Sequence, residues 1–228
     1  MFLGRFMWMI GEHDWRYQMD YEVVNLVIDD GVFWDCSDQS DYWNVYGFSI
    51  MISRDGEETV KVGHMKVSKL NVGTVERDQV SLFEAFNQHS IETSECYDEV
   101  FDEKGNVRAK FQDERYGLGN WLINDFHFLE SISIDEMYRG RGLVGKATAI
   151  YLENFANSSD VVYFKGFPLQ FDASGKSEPL SRKFKGSLKT CQSKLCRYYE
   201  SQGFRRIGKT EHFFFVVDDF LSKRAEMG

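Results

Sequence analysis

The sequence predicts an α/β fold with a mixed β-sheet at its centre and helices on its faces. Three observations carry this prediction. Between Phe128 and Phe155, an alternating strand-like run leads through a glycine-rich turn into a helical pattern. Short runs rich in Val and Ile recur in the first 70 residues, and such runs are typical of strands. A second helical pattern ends at Gly203 and precedes another strand-like run, so strands and helices are interleaved along the chain.

The size of the chain limits its organisation. It has 228 residues, 43% of them hydrophobic and 16% aromatic, and two prolines. This length fits one domain with insertions, or one and a half small domains. We interpret residues 1–228 as a single domain with an N-terminal extension at about 1–18, an unusual insertion at about 71–124 and a basic loop at about 171–187.

Charge is distributed unevenly. The net charge of -9 argues against a general nucleic-acid binder. Residues 125–228 hold 16 Lys and Arg against 13 Asp and Glu, whereas residues 1–124 hold 11 against 23. The basic half suits a polyanionic cofactor. The acidic half suits a cationic acceptor, or simply keeps the protein soluble.

Cysteine use and hydropathy indicate the compartment. The four cysteines show no metal-ligand spacing, so no metal site is predicted, and their uneven spacing fits free thiols in a reducing cytoplasm. The apolar start of the chain contains Arg5 and lacks a small-residue cleavage site, so we do not interpret it as a signal peptide. No apolar run reaches the ~18 residues that a membrane span needs.

The first 70 residues predict strands. The segments 21–28, 46–53 and 59–70 have strand patterns, and Asp55-Gly56 between the last two predicts a hairpin. Residues 1–18 predict an extra strand or a packing arm. The segment 31–44 mixes acids with aromatics, which suits either an amine-binding pocket or an exposed loop with buried rings.

The insertion at 71–124 has helical patterns. We expect a helix over 78–89 with Asp78 as its N-cap, a second helix around 93–101, and a loop at Lys104-Gly-Asn. Later in the chain, the patterns predict a strand over 128–135 and another over 160–167. A helix over about 188–202 and a last strand or strand pair over 207–217 complete the domain.

The glycine-rich turn is suited to a phosphate or pyrophosphate. The first N–H groups of a helix have no partner within it, and the helix dipole adds positive charge there. The glycines read Gly140-x-Gly142-x-x-Gly145, but the acidic residue that a dinucleotide fingerprint has after a second strand is missing. Ala147 follows Lys146 where a P-loop has Ser or Thr.

Two motifs together resemble those of the GCN5-related N-acetyltransferase family. Arg139-Gly140-Arg141-Gly142-Leu143-Val144 is similar to the family's pyrophosphate loop, with Val144 at the position usually held by Gly or Ala. About sixty residues later, Tyr199-Glu200-Ser-Gln-Gly203-Phe204 is similar to the helix end that forms the family's other signature. The resemblance covers residues 126–217, roughly, and implies a central sheet whose fourth and fifth strands splay apart.

The resemblance implies a set of residues for acetyl-CoA, used as co-substrate. Backbone groups of Ile132 and Ile134 would pair with the pantetheine arm, as an added strand does. Gln192 would contact the cofactor from a helix. The pyrophosphate would lie against a loop formed by Arg139, Gly140, Arg141, Gly142, Leu143, Val144, Gly145 and Lys146.

The resemblance also implies two catalytic residues. Glu130 would be the general base, because the acceptor is an ammonium ion at neutral pH and a partly buried carboxylate with a raised pKa can take its proton. The alternative is a glutamate that orders water or pairs with a nearby arginine. Tyr199 would be the general acid for the leaving thiolate, or would only pack against the cofactor. Asp125 and His127 are fallback bases, with His127 on the opposite strand face from Glu130.

These expectations predict an acyltransferase that moves an acetyl group from acetyl-CoA to a primary amine by direct attack. The acceptor is either a small molecule or a protein amine, and no nucleic-acid or membrane partner is expected. The sequence does not decide whether the N-terminal aromatics form a homodimer contact. The alternative function is an inactive CoA-binding or protein-interaction module on the same fold, which Val144 and the reshaped region 71–124 favour.

Overall fold

The computed structural model describes residues 14–19, 22–29, 42–54, 58–111, 124–166 and 187–227. It shows an α/β architecture in which one mixed sheet carries helices on both faces. The strands are β1 Asp14–Met19, β2 Glu22–Ile28, β3 Trp43–Arg54, β4 Val60–Asn71, β5 Asp125–Ile134, β6 Val161–Lys165 and β7 His212–Val216. The helices are α1 Val72–Arg77, α2 Leu82–Asn87, α3 Ile91–Val100, α4 Leu143–Phe155, α5 Leu188–Ser201 and α6 Val217–Met227.

The seven strands lie in the sheet in chain order, from β1 to β7. Neighbouring strands run antiparallel except β5 and β6, which run parallel and are joined through α4. Parallel neighbours need such a crossover because the chain must return to the same end of the sheet. The expected hairpin is confirmed, since β3 and β4 pair along most of their length.

Two hydrophobic cores lie on the two faces of the sheet. One core packs α4, α5 and α6 against residues such as Phe48, Val67 and Phe164. The other packs α1, α2 and α3 against residues such as Phe126 and Tyr163. The alternation of side chains along each strand sends successive residues to opposite cores. The insertion at 71–124 therefore supplies the helical layer of one entire face.

Several predicted elements are confirmed and others are wrong in detail. Helix α4 has the predicted bounds, and α5 ends where Gly203 adopts a positive φ of 92°. The predicted helix over 78–89 is wrong: Asp78 is the C-cap of α1, and a new helix starts at Ser81. Ser81 and Glu84 form a capping box, which is a strong local start signal.

Both ends of the chain differ from the expectation. Strand β1 confirms an extra strand within the first 18 residues, although residues 1–13 lie outside the described part of the chain. The last strand begins at His212 rather than at Ile207, with an isolated antiparallel bridge between Arg206 and Phe213, and the residues after it form α6. The acidic and aromatic segment falls mostly on 30–41, and the basic loop on 167–186, both outside the described residues. Within the described part, no helix has the length and apolar character to cross a membrane.

Candidate functional site

A cleft opens where β5 and β6 diverge. The two strands pair only from Phe126 to Phe128 on β5 and from Val161 to Tyr163 on β6. Beyond these residues β5 continues along β4, and β6 continues along β7. The cleft is lined by Leu129, Glu130, Ser131, Ile132, Phe164, Lys165 and Tyr199. It lies at the C-terminal ends of two parallel strands, where ligands bind in open α/β sheets.

A β-bulge at Glu130 shapes this edge. Ser131 lies opposite Lys66 and Leu129 lies opposite Val67, so Glu130 is an extra residue on β5. A bulge leaves one residue outside the ladder and bends its strand. It therefore re-aims the Glu130 side chain at the point where β5 leaves β6.

The cleft is reached from both faces of the sheet. Tyr199 packs edge-on against Phe164 and Phe213, in the core of the α4–α6 face. Glu130 instead contacts Ser68 and His89, and His89 follows α2 on the α1–α3 face. The two predicted catalytic residues therefore meet the same cleft from opposite sides.

Glu130 is held by three polar neighbours. Its carboxylate lies 2.5 Å from Lys66 Nζ and 3.5 Å from His89 Nε2, and it accepts a hydrogen bond from Ser68. Burial raises the pKa of Glu130, but the hydrogen bonds from His89, Lys66 and Ser68 outweigh burial and lower the pKa to about 2. The expected raised pKa is thus wrong, because the expectation considered burial without these partners.

His89 has a fixed ring. It stacks on Trp43 with a centroid distance of 4.4 Å and an interplanar angle of 10°. Its Nε2 atom lies 2.9 Å from Ser68 Oγ. Ser68, His89 and Glu130 are not a nucleophilic triad, because the same imidazole nitrogen faces both oxygens and Ser68 is fully buried. The three side chains instead contact one another in a compact polar cluster.

Tyr199 stands at the other wall of the cleft within an aromatic cluster. Besides Phe164 and Phe213 it contacts Phe204, at a centroid distance of 5.6 Å. Burial raises the pKa of Tyr199 well above that of an ordinary phenol. The phenol therefore carries its proton throughout the neutral pH range, and burial makes it a weaker acid than an exposed tyrosine.

The two fallback bases have other partners. His127 is fully buried, with Nδ1 2.8 Å from the Tyr151 hydroxyl and Nε2 3.0 Å from Asp160. Burial lowers the pKa of His127, which favours the neutral ring. Asp125 accepts from the Val72 N–H and pairs with Lys69 at 2.9 Å. His127 does lie on the opposite face from Glu130, as predicted, but it is sealed in the core.

The glycine-rich turn precedes α4 as predicted. Gly140 and Gly142 have φ values of 80° and 70°, which residues with a β-carbon rarely adopt. Gly142 is the N-cap of α4 and provides no side-chain cap. The guanidinium of Arg139 donates to the Ile134 carbonyl at 2.8 Å, and Arg141 lies 5.2 Å from the Tyr138 ring centroid.

The first turn of α4 is covered by neighbours that the sequence did not predict. Leu143, Val144 and Gly145 are buried as whole residues, so they leave little accessible surface in this turn. The Val144 N–H lies at the Tyr198 hydroxyl. Burial raises the pKa of Tyr198, and the hydrogen bond from this N–H partly offsets the rise. A β-carbon at Gly145 would lie 2.4 Å from Arg224 Nη1. Arg224 Nη1 is the far end of a flexible side chain, so this contact by itself does not require glycine at position 145.

The other residues predicted to contact the cofactor lie at different distances from the cleft. Ile132 lines the cleft, while Ile134 is largely buried beyond it and its carbonyl is bonded to Arg139. Lys146 is half-buried in the first turn of α4. Gln192 is half-buried on α5, seven residues before Tyr199, which is about two helical turns along the same face.

The sequence reasoning missed Lys66, Ser68, His89 and Lys165. One signal was available for two of them, since Lys66 and Ser68 are polar residues two apart in a strand whose neighbours are buried. Nothing local identifies His89. Among the described residues, no group of three or more His, Cys, Asp or Glu side chains is arranged to hold a metal.

Comparison with known proteins gave no relative. No family model, curated protein or solved structure matches this chain.

Proposed function

We propose that this protein is an N-acetyltransferase of the GCN5-related type, which transfers an acetyl group from acetyl-CoA to a primary amine. One observation carries the proposal: β5 and β6 diverge into a cleft with Glu130 at one wall and Tyr199 at the other. The resemblance of the two sequence motifs predicted this divergence and these two residues. The turn before α4 gives a second line of support. Tyr198, the neighbour of Tyr199 on α5, reaches the Val144 N–H beside this turn, so α5 contacts both the turn and the cleft.

The cleft offers a pairing edge for the pantetheine arm. Among the described residues, Leu129, Ser131 and Ile132 pair with β4 but have no strand partner on the β6 side. An amide-rich chain can bind such an edge as an added strand does. In this proposal the pyrophosphate lies at the turn before α4, near Arg141 and Lys146, where helix N–H groups and positive charge favour an anion.

The chemistry is a direct attack of the amine on the thioester. Tyr199 donates its proton to the leaving sulfur. A backbone N–H freed by the bulge at Glu130 suits the developing oxyanion, because preorganised donors in a dry site stabilise that charge. Glu130 receives the acceptor's ammonium group. Its low pKa makes it a carboxylate that binds a cation and relays a proton rather than one that retains it.

The acceptor must share Glu130 with Lys66. The ion pair between Glu130 and Lys66 already partly neutralises the charge on this wall of the cleft. Lys165, which also lines the cleft, is paired with Glu95 at 3.1 Å. A cationic acceptor would therefore replace or join an existing cation. Both small-molecule amines and protein amines are candidate acceptors.

A second candidate function is an inactive CoA-binding or protein-interaction module. It is favoured by the covering of the first turn of α4, where Tyr198 takes the Val144 N–H and Arg224 lies over Gly145. A pyrophosphate would have to share this turn with those side chains.

Calorimetric titration with acetyl-CoA and CoA, combined with a thiol-release assay over a panel of amines, tests the proposal. We expect binding of acetyl-CoA and amine-dependent release of CoA. Binding without release on any amine would support the inactive module. Absence of acetyl-CoA binding would contradict the acetyltransferase and the CoA-binding module, and would leave only the protein-interaction module.

A further inference from the structure

The polar cluster of Lys66, Ser68 and His89 around Glu130 supports one further inference. The inference rests on the proposed function and specifies the path taken by the proton that the amine loses. Glu130 lines the cleft and Ser68 is fully buried beside it. His89 Nε2 lies 2.9 Å from Ser68 Oγ and 3.5 Å from a Glu130 carboxylate oxygen. The His89 side chain is 17% exposed, so the ring also borders solvent. These three groups form a continuous path from the cleft to the surface of the α1–α3 face.

We propose that His89 receives the proton lost by the attacking amine, through Glu130 and Ser68. The amine must become neutral before it can attack a thioester. A carboxylate stabilised by Lys66 and Ser68 can take that proton only briefly, because its neighbours favour the charged form. An imidazole is suited to hold it.

The transfer conserves protons at each step. An ammonium N–H bond breaks towards a Glu130 oxygen, and the amine nitrogen keeps its lone pair. The new Glu130 O–H passes a proton to Ser68 Oγ, while the Ser68 hydroxyl gives its own proton to His89 Nε2. Glu130 is again a carboxylate and His89 is an imidazolium. The distances suit this exchange, because Ser68 donates to Glu130 and Ser68 Oγ lies 2.9 Å from His89 Nε2.

The surroundings of His89 hold its ring in a fixed plane. Trp43 from β3 stacks on it and holds its plane. The charged groups that face it are Glu130 from β5 and, through Glu130, Lys66 from β4. His89 acts through Glu130 and is therefore a positioning and proton-accepting residue rather than a contact of the acceptor.

The pH dependence of kcat/KM tests this path in the full-length protein. The assay uses acetyl-CoA with a polyamine, an aminoglycoside and a lysine peptide, and takes the amine with the fastest CoA release. We expect His89→Gln to lower kcat by about 10²-fold and to remove one ionisation from the profile, with the KM for acetyl-CoA unchanged. His64→Gln is the matched control, because His64 lies on β4 and pairs with Asp29 at 3.0 Å.

A second variant covers the case in which His89→Gln fails to fold. Ser68→Ala removes one hydroxyl from the path and leaves the stack of His89 on Trp43 intact. It should lower kcat by less than His89→Gln does, because His89 Nε2 still lies 3.5 Å from Glu130. Circular dichroism melting verifies folding of each variant. Wild-type kinetics in both variants would overturn the proton path and leave the acetyltransferase proposal standing. Absence of CoA release by the wild type with every amine would overturn the proposed function itself, and the path with it.

Discussion

Tyr198 and Tyr199 are neighbours on α5, yet the Tyr198 hydroxyl lies at the Val144 N–H whereas the Tyr199 ring lines the cleft between β5 and β6. Successive residues on a helix point about 100° apart. One helix therefore connects the turn before α4 with the cleft. This arrangement gives the two tyrosines separate roles that single substitutions can distinguish.

Replacing Tyr199 with Phe should separate chemistry from binding. The ring contacts with Phe164 and Phe213 remain, but the proton donor is lost. We expect kcat to fall by about 10²-fold, while the Kd for acetyl-CoA from calorimetry stays at the wild-type value. Tyr46→Phe is the control, since its ring packs on Phe48 and Phe155 at the other end of α4. Unchanged kcat in the Tyr199 variant would favour the inactive module.

Replacing Lys146 with Gln should weaken acetyl-CoA binding. The change removes a positive charge from the first turn of α4, where an anion is stabilised by about 0.3–1 kcal/mol per charge at low salt. We expect the Kd to rise about two- to fivefold at low ionic strength and the difference to shrink as salt is added. Lys104→Gln, in an exposed loop, provides the matched loss of charge. Equal effects of both variants would exclude a local anion site.

The Glu130 cluster should make the fold sensitive to acid. The pKa of Glu130 is lowered to about 2 in the folded protein, below its unfolded value, so its contribution to stability is complete above the unfolded pKa. It is lost as the pH falls from about 4.5 towards 2, with a magnitude of up to about 3 kcal/mol. Urea denaturation at several pH values measures it.

Glu130→Gln is the comparison for that pH series. The variant lacks the titrating group, so its free energy of unfolding should change less between pH 5 and pH 2 than that of the wild type. The remaining slope reports other carboxylates such as Asp160. Burial raises the pKa of Asp160, but the hydrogen bonds from His127 and Asn157 outweigh burial and lower it. Identical slopes in the two proteins would contradict the assigned partners of Glu130.

Removing the Tyr151 hydroxyl should destabilise the core without touching the cleft. Tyr151→Phe leaves His127 Nδ1 without its partner in a fully buried site. An unsatisfied buried polar group costs about 1–3 kcal/mol, so the melting temperature should fall. Acetyl-CoA binding should be retained. A melting temperature equal to that of the wild type would show that His127 finds another partner.

A β-carbon at Gly63 should separate two central strands. It would lie 2.2 Å from the Ser133 carbonyl oxygen, which is backbone and cannot rotate away. We expect Gly63→Ala to cost roughly 2 kcal/mol or more, by the mechanism of overpacking. Gly73→Ala in α1 meets nothing within 4 Å and should stabilise its helix slightly. Denaturant unfolding of both variants measures the contrast, and equal effects would exclude a clash at Gly63.

The sequence by itself determined the elements that have local signals. Glycine at the start of α4, the apolar period of that helix and Gly203 after α5 fix helix ends through interactions within a few residues. The Asp-Gly pair likewise predicted the β3–β4 hairpin. The helical boundary at 78–82 was missed because the Ser81 capping box competes with a continuous apolar pattern.

Only the tertiary structure decided what surrounds Glu130. Ser68 is 62 positions away in sequence, and His89 and Lys66 come from a turn after α2 and from β4. A pKa depends on burial and on every neighbouring charge and donor, so the sequence predicted the wrong direction of its shift. The divergence of β5 from β6 likewise arises from the pairing of each with a different neighbour. Local sequence specifies strands and helices, whereas contacts between distant segments create the cleft and set its electrostatics.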